Sequence, residues 1–160
     1  MALTALIVVV PEADANATIR EIRLQHVSTA ARGVPAHITL LSPFSDSKDV
    51  DEPALAALFA GHASFDFILD RVKRWDDGIV WLHPEPSQPF EDLTSAIWQT
   101  WPAYPPYEGA TDTIIPHLTV SEQPLPLELD LPIRSRADAV TLMQEANDHT
   151  WSIRRVFPLG

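Results

Sequence analysis

Cysteine is absent from the chain. That absence excludes a disulfide framework, a thiolate nucleophile and every cysteine-based zinc site, and it is compatible with a reducing compartment. Positive charge is scarce: 11 Lys and Arg stand against 22 Asp and Glu, a net charge of −11. So acidic a surface repels polyanions and acidic membranes, which argues against duplex DNA and long nucleic acids as partners. One small phosphorylated ligand can still be held by a local cluster of donors in a cleft. Long apolar runs are missing as well. The stretch Leu3 to Val10 is too short to span a bilayer and has neither a basic flank nor a small-residue cleavage site before Pro11. It reads as a buried first strand, and a cytoplasmic protein without a membrane partner is expected.

What is present is an ordinary globular composition. The 160 residues are 46% apolar and 21% charged, enough to bury a core without disulfide or metal support, and no low-complexity tract or linker divides them. One domain over residues 1–160 is the expectation, with a monomer as the simplest assembly.

After the first strand, Asp14 can cap a helix running to about Ser28, with Ile19, Ile22 and Val27 inward and Arg20, Glu21 and Arg23 mostly outward. A strand follows at His37 to Leu41 and stops at Ser42-Pro43-Phe44. Asp51 opens a short helix with Pro53 in its first turn, an apolar face of Leu55, Leu58 and Phe59, and a stop at Gly61. Phe65, Phe67 and Leu69 start a hairpin that turns through Trp75-Asp76-Asp77-Gly78 and returns over Ile79 to His83. Phe90, Leu93, Ile97 and Trp101 mark an amphipathic helix closed by Pro102. A second short strand comes at His117 to Val120. Pro124, Pro126 and Pro132 make the next stretch an extended crossing, and Ala137 to Gln144 with Trp151 to Phe157 form a closing hairpin.

The two short strands carry one pattern. His37-Ile38-Thr39-Leu40 and His117-Leu118-Thr119-Val120 each read imidazole, apolar, hydroxyl, apolar. Side chains alternate across a strand, so each His shares a face with its Thr, about 7 Å along the strand, while the apolar pair faces the core. Brought together, the strands would offer two imidazoles and two hydroxyls to one pocket. Histidine titrates nearest neutrality, so such a pair can hold one neutral base and one protonated acid at the same pH. Opening a cyclic phosphodiester needs that division of labour, with Thr39 and Thr119 donating to non-bridging phosphate oxygens and no metal or cofactor required. A single His on a half-buried strand is more often structural, but two matched sites would each bury polar groups where Val or Ile would pack without cost.

Two other readings compete. His37 and His117 as metal ligands lack a matching third Asp or Glu. A catalytically idle module that keeps the pocket to bind a nucleotide or phosphate is the second. His26, His62, His83 and His149 read as surface or turn residues, and Trp75, Trp81, Trp98, Trp101 and Trp151 as core or turn packing. Phe44, just past the first motif, and Tyr104 or Tyr107, before the second, are placed to stack on a base.

The segments His37 to Phe44 (HITLLSPF) and Pro116 to Ser121 (PHLTVS), and the ending from Trp151 through Val156-Phe157-Pro158-Leu159-Gly160, resemble the 2H phosphoesterase superfamily, also called the 2′-5′ RNA ligase or LigT-like family. The resemblance implies an α+β, bilobal fold: two antiparallel sheets facing a central cleft, helices outside, with pseudo-twofold symmetry. It implies metal-independent cyclic phosphodiesterase chemistry on 2′,3′-cyclic phosphates or 2′-5′ linkages of a nucleotide or short RNA, in RNA processing. His37 and His117 map onto the catalytic histidines, and Thr39 and Thr119 onto the phosphate-binding hydroxyls. By analogy His117 is the base and His37 the acid, an assignment that the pseudo-symmetry leaves reversible. Many members carry a basic residue soon after the second motif. Here Ser121-Glu122 and prolines follow instead, which points away from ligase activity and toward a nucleotide-sized substrate.

Overall fold

The computed structural model describes residues 2–110 and 113–160. Eight strands and three helices follow one another as β1 (Thr4–Val9), α1 (Glu12–His26), β2 (His37–Leu41), α2 (Glu52–Ala60), β3 (Phe65–Arg74), β4 (Val80–Glu85), α3 (Gln88–Thr100), β5 (Leu118–Ser121), β6 (Ile133–Ala137), β7 (Ala139–Glu145) and β8 (Trp151–Pro158). They form two four-stranded antiparallel sheets, in the orders β2-β1-β7-β8 and β5-β4-β3-β6. The expected α+β architecture of two sheets with helices outside is therefore present.

The two halves echo each other in register. The units β1-α1-β2 and β4-α3-β5 each place a His/Thr strand at a sheet edge, with Ile7 of β1 opposite Thr39 and Trp81 of β4 opposite Thr119. The helices cross over: α1 packs against β5 and β6 of the second sheet, and α3 against β2 of the first. An edge strand leaves outward carbonyls without ladder partners. Here the crossed helices supply donors, Arg23 of α1 to the Thr119 carbonyl at 3.1 Å and Thr94 of α3 to the Leu40 carbonyl at 2.8 Å. Ile38, Leu40, Leu118 and Val120 enter the main core, beside Ile19 of α1, Leu55 and Phe59 of α2, and Phe90, Leu93 and Ile97 of α3.

Three local expectations change. The first helix starts at Glu12 behind Pro11 with no side-chain cap there, and it kinks at Asn16, which is held at φ 65° and whose side-chain oxygen accepts from the Ile19 amide at 3.2 Å. Asp14 instead accepts from the Ser135 hydroxyl at 2.8 Å. Arg23 does not face outward. It is 3% exposed, because a spacing of four from Ile19 puts it on the helix's buried stripe. The stretch after Pro132 contains an additional strand, β6, which completes the second sheet by pairing with β3. It ends at Ala137, which the sequence reading gave to the closing strand, and that strand, β7, begins at Ala139. The short helix is as expected: Asp51 caps α2 through the Ala54 amide at 3.1 Å, and Gly61 ends it.

Candidate active site

β2 and β5 belong to different sheets, yet they lie against each other where the sheets meet. This junction brings the two histidines into one region, near enough that His117 disfavours a charge on His37. His37 is the first residue of β2, whereas His117, expected to open the second motif's strand, stands one residue before β5.

The two imidazoles are held alike. The Nδ1–H of His37 donates to the Pro35 carbonyl at 2.7 Å, and the Nδ1–H of His117 donates to the Ile115 carbonyl, also at 2.7 Å. In both cases the acceptor is the backbone two positions earlier, so chain geometry fixes the tautomer. Each neutral ring then carries its lone pair on Nε2. For His37, Nε2 lies 3.1 Å from Thr39 Oγ1. The His and Thr of the first motif therefore share a face as strand alternation requires.

Their electrostatic settings differ. Burial first, then the positive charge of Arg23 and of His117, lower His37 to about 4 against the opposing pull of the Pro35 bond. Burial also lowers His117, with the Ile115 bond opposing. His117 additionally meets two indoles edge to face, Trp75 at 4.5 Å and Trp81 at 5.8 Å between ring centroids. Trp75 and Trp81 lie 4.8 Å apart, and the Lys73 ammonium sits 5.6 Å from the Trp81 ring. Those tryptophans, read from sequence as packing residues, form one wall of the His117 side.

Two small cavities adjoin the histidines, one lined by His37 and the other by His117, and Thr39 and Ser42 line both. Ser42 was not among the residues singled out by sequence. Its place one step past the strand, behind the apolar Leu41, breaks the two-residue alternation that exposed His37 and Thr39. Arg23 is the other unanticipated residue: its guanidinium reaches both the Thr119 carbonyl and, at 3.4 Å, the Val34 carbonyl. It thus bridges the second motif to the loop before the first. Burial lowers Arg23 to about 10. No carboxylate pairs with it among the described residues.

The aromatic candidates separate. Phe44 is 5% exposed and packs edge-on against Trp101 at 5.5 Å and Tyr104 at 5.3 Å, so it and Tyr104 are committed to each other and to the core. Tyr107 lines the His117 cavity, and its hydroxyl bonds both the carbonyl and the amide of Ile115 at 3.1 Å. It clamps the residue that orients His117. His83, expected at the surface or in a turn, is a half-buried β4 residue bonded through Nδ1 to Asp70 at 2.9 Å. With Glu85 these two form a cluster of donor atoms within 4.8 Å of one another, the one such group able to hold a metal among the described residues, and neither His37 nor His117 belongs to it.

The sequence model of the 2′-5′ RNA ligase superfamily matches residues 10–157. The chain belongs to that superfamily. Its fold is that of LigT-like proteins: E. coli LigT complexed with NADP+ superposes with a TM-score of 0.62 at 20% identity, covering 98% of this chain and 96% of LigT. The 3′-AMP complex of E. coli LigT gives 0.61 at 19% identity, over 98% and 97%. The protein TT0787 of Thermus thermophilus gives 0.63 at 17% identity, again over 98% and 97%. No curated protein matches the sequence. Membership of this superfamily, the 2H phosphoesterases, assigns the chain to phosphoester chemistry. None of the helices described is long and apolar enough to cross a membrane.

Proposed function

We propose that this protein is a metal-independent phosphodiesterase that opens a 2′,3′-cyclic phosphate on a nucleotide or short RNA, with His37 and His117 as its acid/base pair. The observation that carries the reading is the matched Nδ1–H bond of each histidine to the carbonyl two residues before it, which reserves both Nε2 atoms for proton transfer. Thr39 and Thr119 donate to the phosphate oxygens, where charge grows as the bond breaks. Nucleotide complexes of E. coli LigT, with 3′-AMP, ATP and NADP+, support a nucleotide-sized ligand. A cytoplasmic monomer remains the proposed form.

The environments favour the opposite division of roles from the analogy. His37 is half-buried and strongly desolvated, with the Arg23 guanidinium as a positive neighbour, so it is the harder ring to protonate and acts as the base. His117 faces the electron-rich indoles of Trp75 and Trp81, which suit an imidazolium, and acts as the acid. His37 Nε2 takes a proton from water as the water oxygen attacks phosphorus. The bond from phosphorus to one ribose oxygen breaks, and that oxygen takes its proton from His117 Nε2. The product is a phosphate monoester, and proton exchange with solvent restores both rings.

The test is hydrolysis of the four nucleoside 2′,3′-cyclic monophosphates with EDTA present. Wild type is expected to turn over, and His37→Ala and His117→Ala each to lose on the order of 10²–10⁴-fold in kcat. An aryl phosphodiester, whose leaving phenolate needs no proton, separates the roles: His117→Ala should then lose under about tenfold while His37→Ala keeps its full loss. Binding of nucleoside monophosphates without any turnover would instead identify an idle binding module.

A further inference from the structure

The pseudo-twofold relation breaks beside the histidines, and the break creates a cavity. Trp81 opposes Thr119 and is flanked by Lys73, filling the second sheet's half with an indole under a long side chain. The corresponding places in the first sheet hold Ile7, opposite Thr39, and Thr141 beyond it. Where Ile7 stands in place of an indole, a space of about 210 Å³ lies next to His37. Its walls are Ala5, Ile7, Val34, Met143 and Trp151, a small apolar cluster separate from the main core. Thr29, Thr39 and Ser42 supply hydroxyls, and no Asp, Glu, Lys or Arg is among the described residues that line it.

We propose that this cavity is the nucleobase subsite, with Trp151 as the stacking wall and Ile7 as the residue whose size keeps the space open. The inference rests on the reading that a phosphate ester binds between His37 and His117. An uncharged lining opposes a second phosphate, which would lose its hydration without gaining a counter-charge. The volume lies below the roughly 300–1,000 Å³ of pockets for drug-sized ligands, which suits one flat ring system. Hydroxyls both donate and accept, so Thr29 and Ser42 can meet the edge of any base. Trp151 is firmly placed: its amide donates to the Arg32 carbonyl at 2.7 Å. Gly33, at φ +107°, packs so closely that an added Cβ would lie 2.5 Å from the Trp151 carbonyl oxygen.

The experiment is calorimetric titration of the protein with the 3′-monophosphates of the four ribonucleosides and with inorganic phosphate. Base stacking on an aromatic side chain implies that each nucleotide binds wild type at least about tenfold more tightly than phosphate. Ile7→Trp, which rebuilds the filled half, should abolish that margin while phosphate binding stays within about twofold. If Ile7→Trp lowers the melting temperature enough to prevent titration, Trp151→Ala is the second variant, expected to reduce the margin about tenfold. Equal affinity of wild type for nucleotides and phosphate, or a margin unchanged in the folded variant, overturns the subsite. The chemistry has a separate readout: turnover of cyclic phosphates with no margin removes the subsite alone, and a margin without turnover removes the hydrolase reading alone.

Discussion

His37 shows how one residue's surroundings set its role. Its lowered value, about 4, means that the folded chain keeps the ring neutral where an unfolded chain would protonate it. With His37 as base, kcat/KM falls on the acid side only near pH 4. With His117 as acid, the alkaline limb begins below the ordinary 6.5, since burial lowers that ring too. A maximum between about pH 4 and 6.5 is therefore expected in a pH–rate profile. Linkage has the same sign. Between the unfolded and folded values the unfolded state binds the extra proton, so stability is lost as pH falls from 6.5 toward about 4. His37→Gln should flatten that decline in denaturant titrations. Arg23 acts on this ring from a distance: Arg23→Met removes a positive neighbour, and the His37 value measured by NMR should rise. The same change leaves the Thr119 and Val34 carbonyls without their donor, at a cost of about 1–3 kcal/mol.

The elements explain why edge strands can carry a site. β2 and β5 each have one free side, and that freedom lets two sheets meet at their His/Thr residues. A free edge also invites pairing with other chains, and the crossed helices prevent it through the Arg23 and Thr94 bonds. Thr94→Val keeps the shape and deletes the donor to Leu40. It should destabilise the fold by about 1–3 kcal/mol, read as a lower urea midpoint with the slope unchanged. Most elements were legible in the chain because their signals are local: the spacing of Phe90, Leu93 and Ile97, the Asp51 cap, the hairpin turn at Trp75 to Gly78. β6 was not. Its alternating Ile133, Arg134, Ser135, Arg136 and Ala137 lie directly after a proline-rich crossing, and only pairing with β3 makes that segment a strand.

For the whole molecule, the net charge of −11 sets what can approach the cleft. The cations of β3, Arg71, Lys73 and Arg74, are local exceptions on an acidic surface. Each added phosphate of an oligonucleotide therefore meets more repulsion than attraction. For cyclic-phosphate-ended oligonucleotides, kcat/KM should not rise with length beyond the first few nucleotides, and lowering the salt should weaken the longer ones most. A steep gain with length would show a basic track that the acidic surface does not predict.

By itself the sequence singled out the two histidines and two threonines as the proposed site, because strand alternation is a two-residue rule that a four-residue segment can display. It also determined the superfamily, through the repeated motif and its trailing Pro43-Phe44. Tertiary structure alone decided the rest. Arg23 carries a charge, and composition assigns charge to the surface until a helix is seen packed on another sheet's edge. Phe44 could have stacked on a base until Trp101 and Tyr104 occupied its ring. The difference between the two halves, Ile7 facing Thr39 and Trp81 facing Thr119, exists only in the pairing of strands distant in the chain. Which imidazole is the harder to protonate and which side stays open are properties of neighbours, and folding chooses the neighbours.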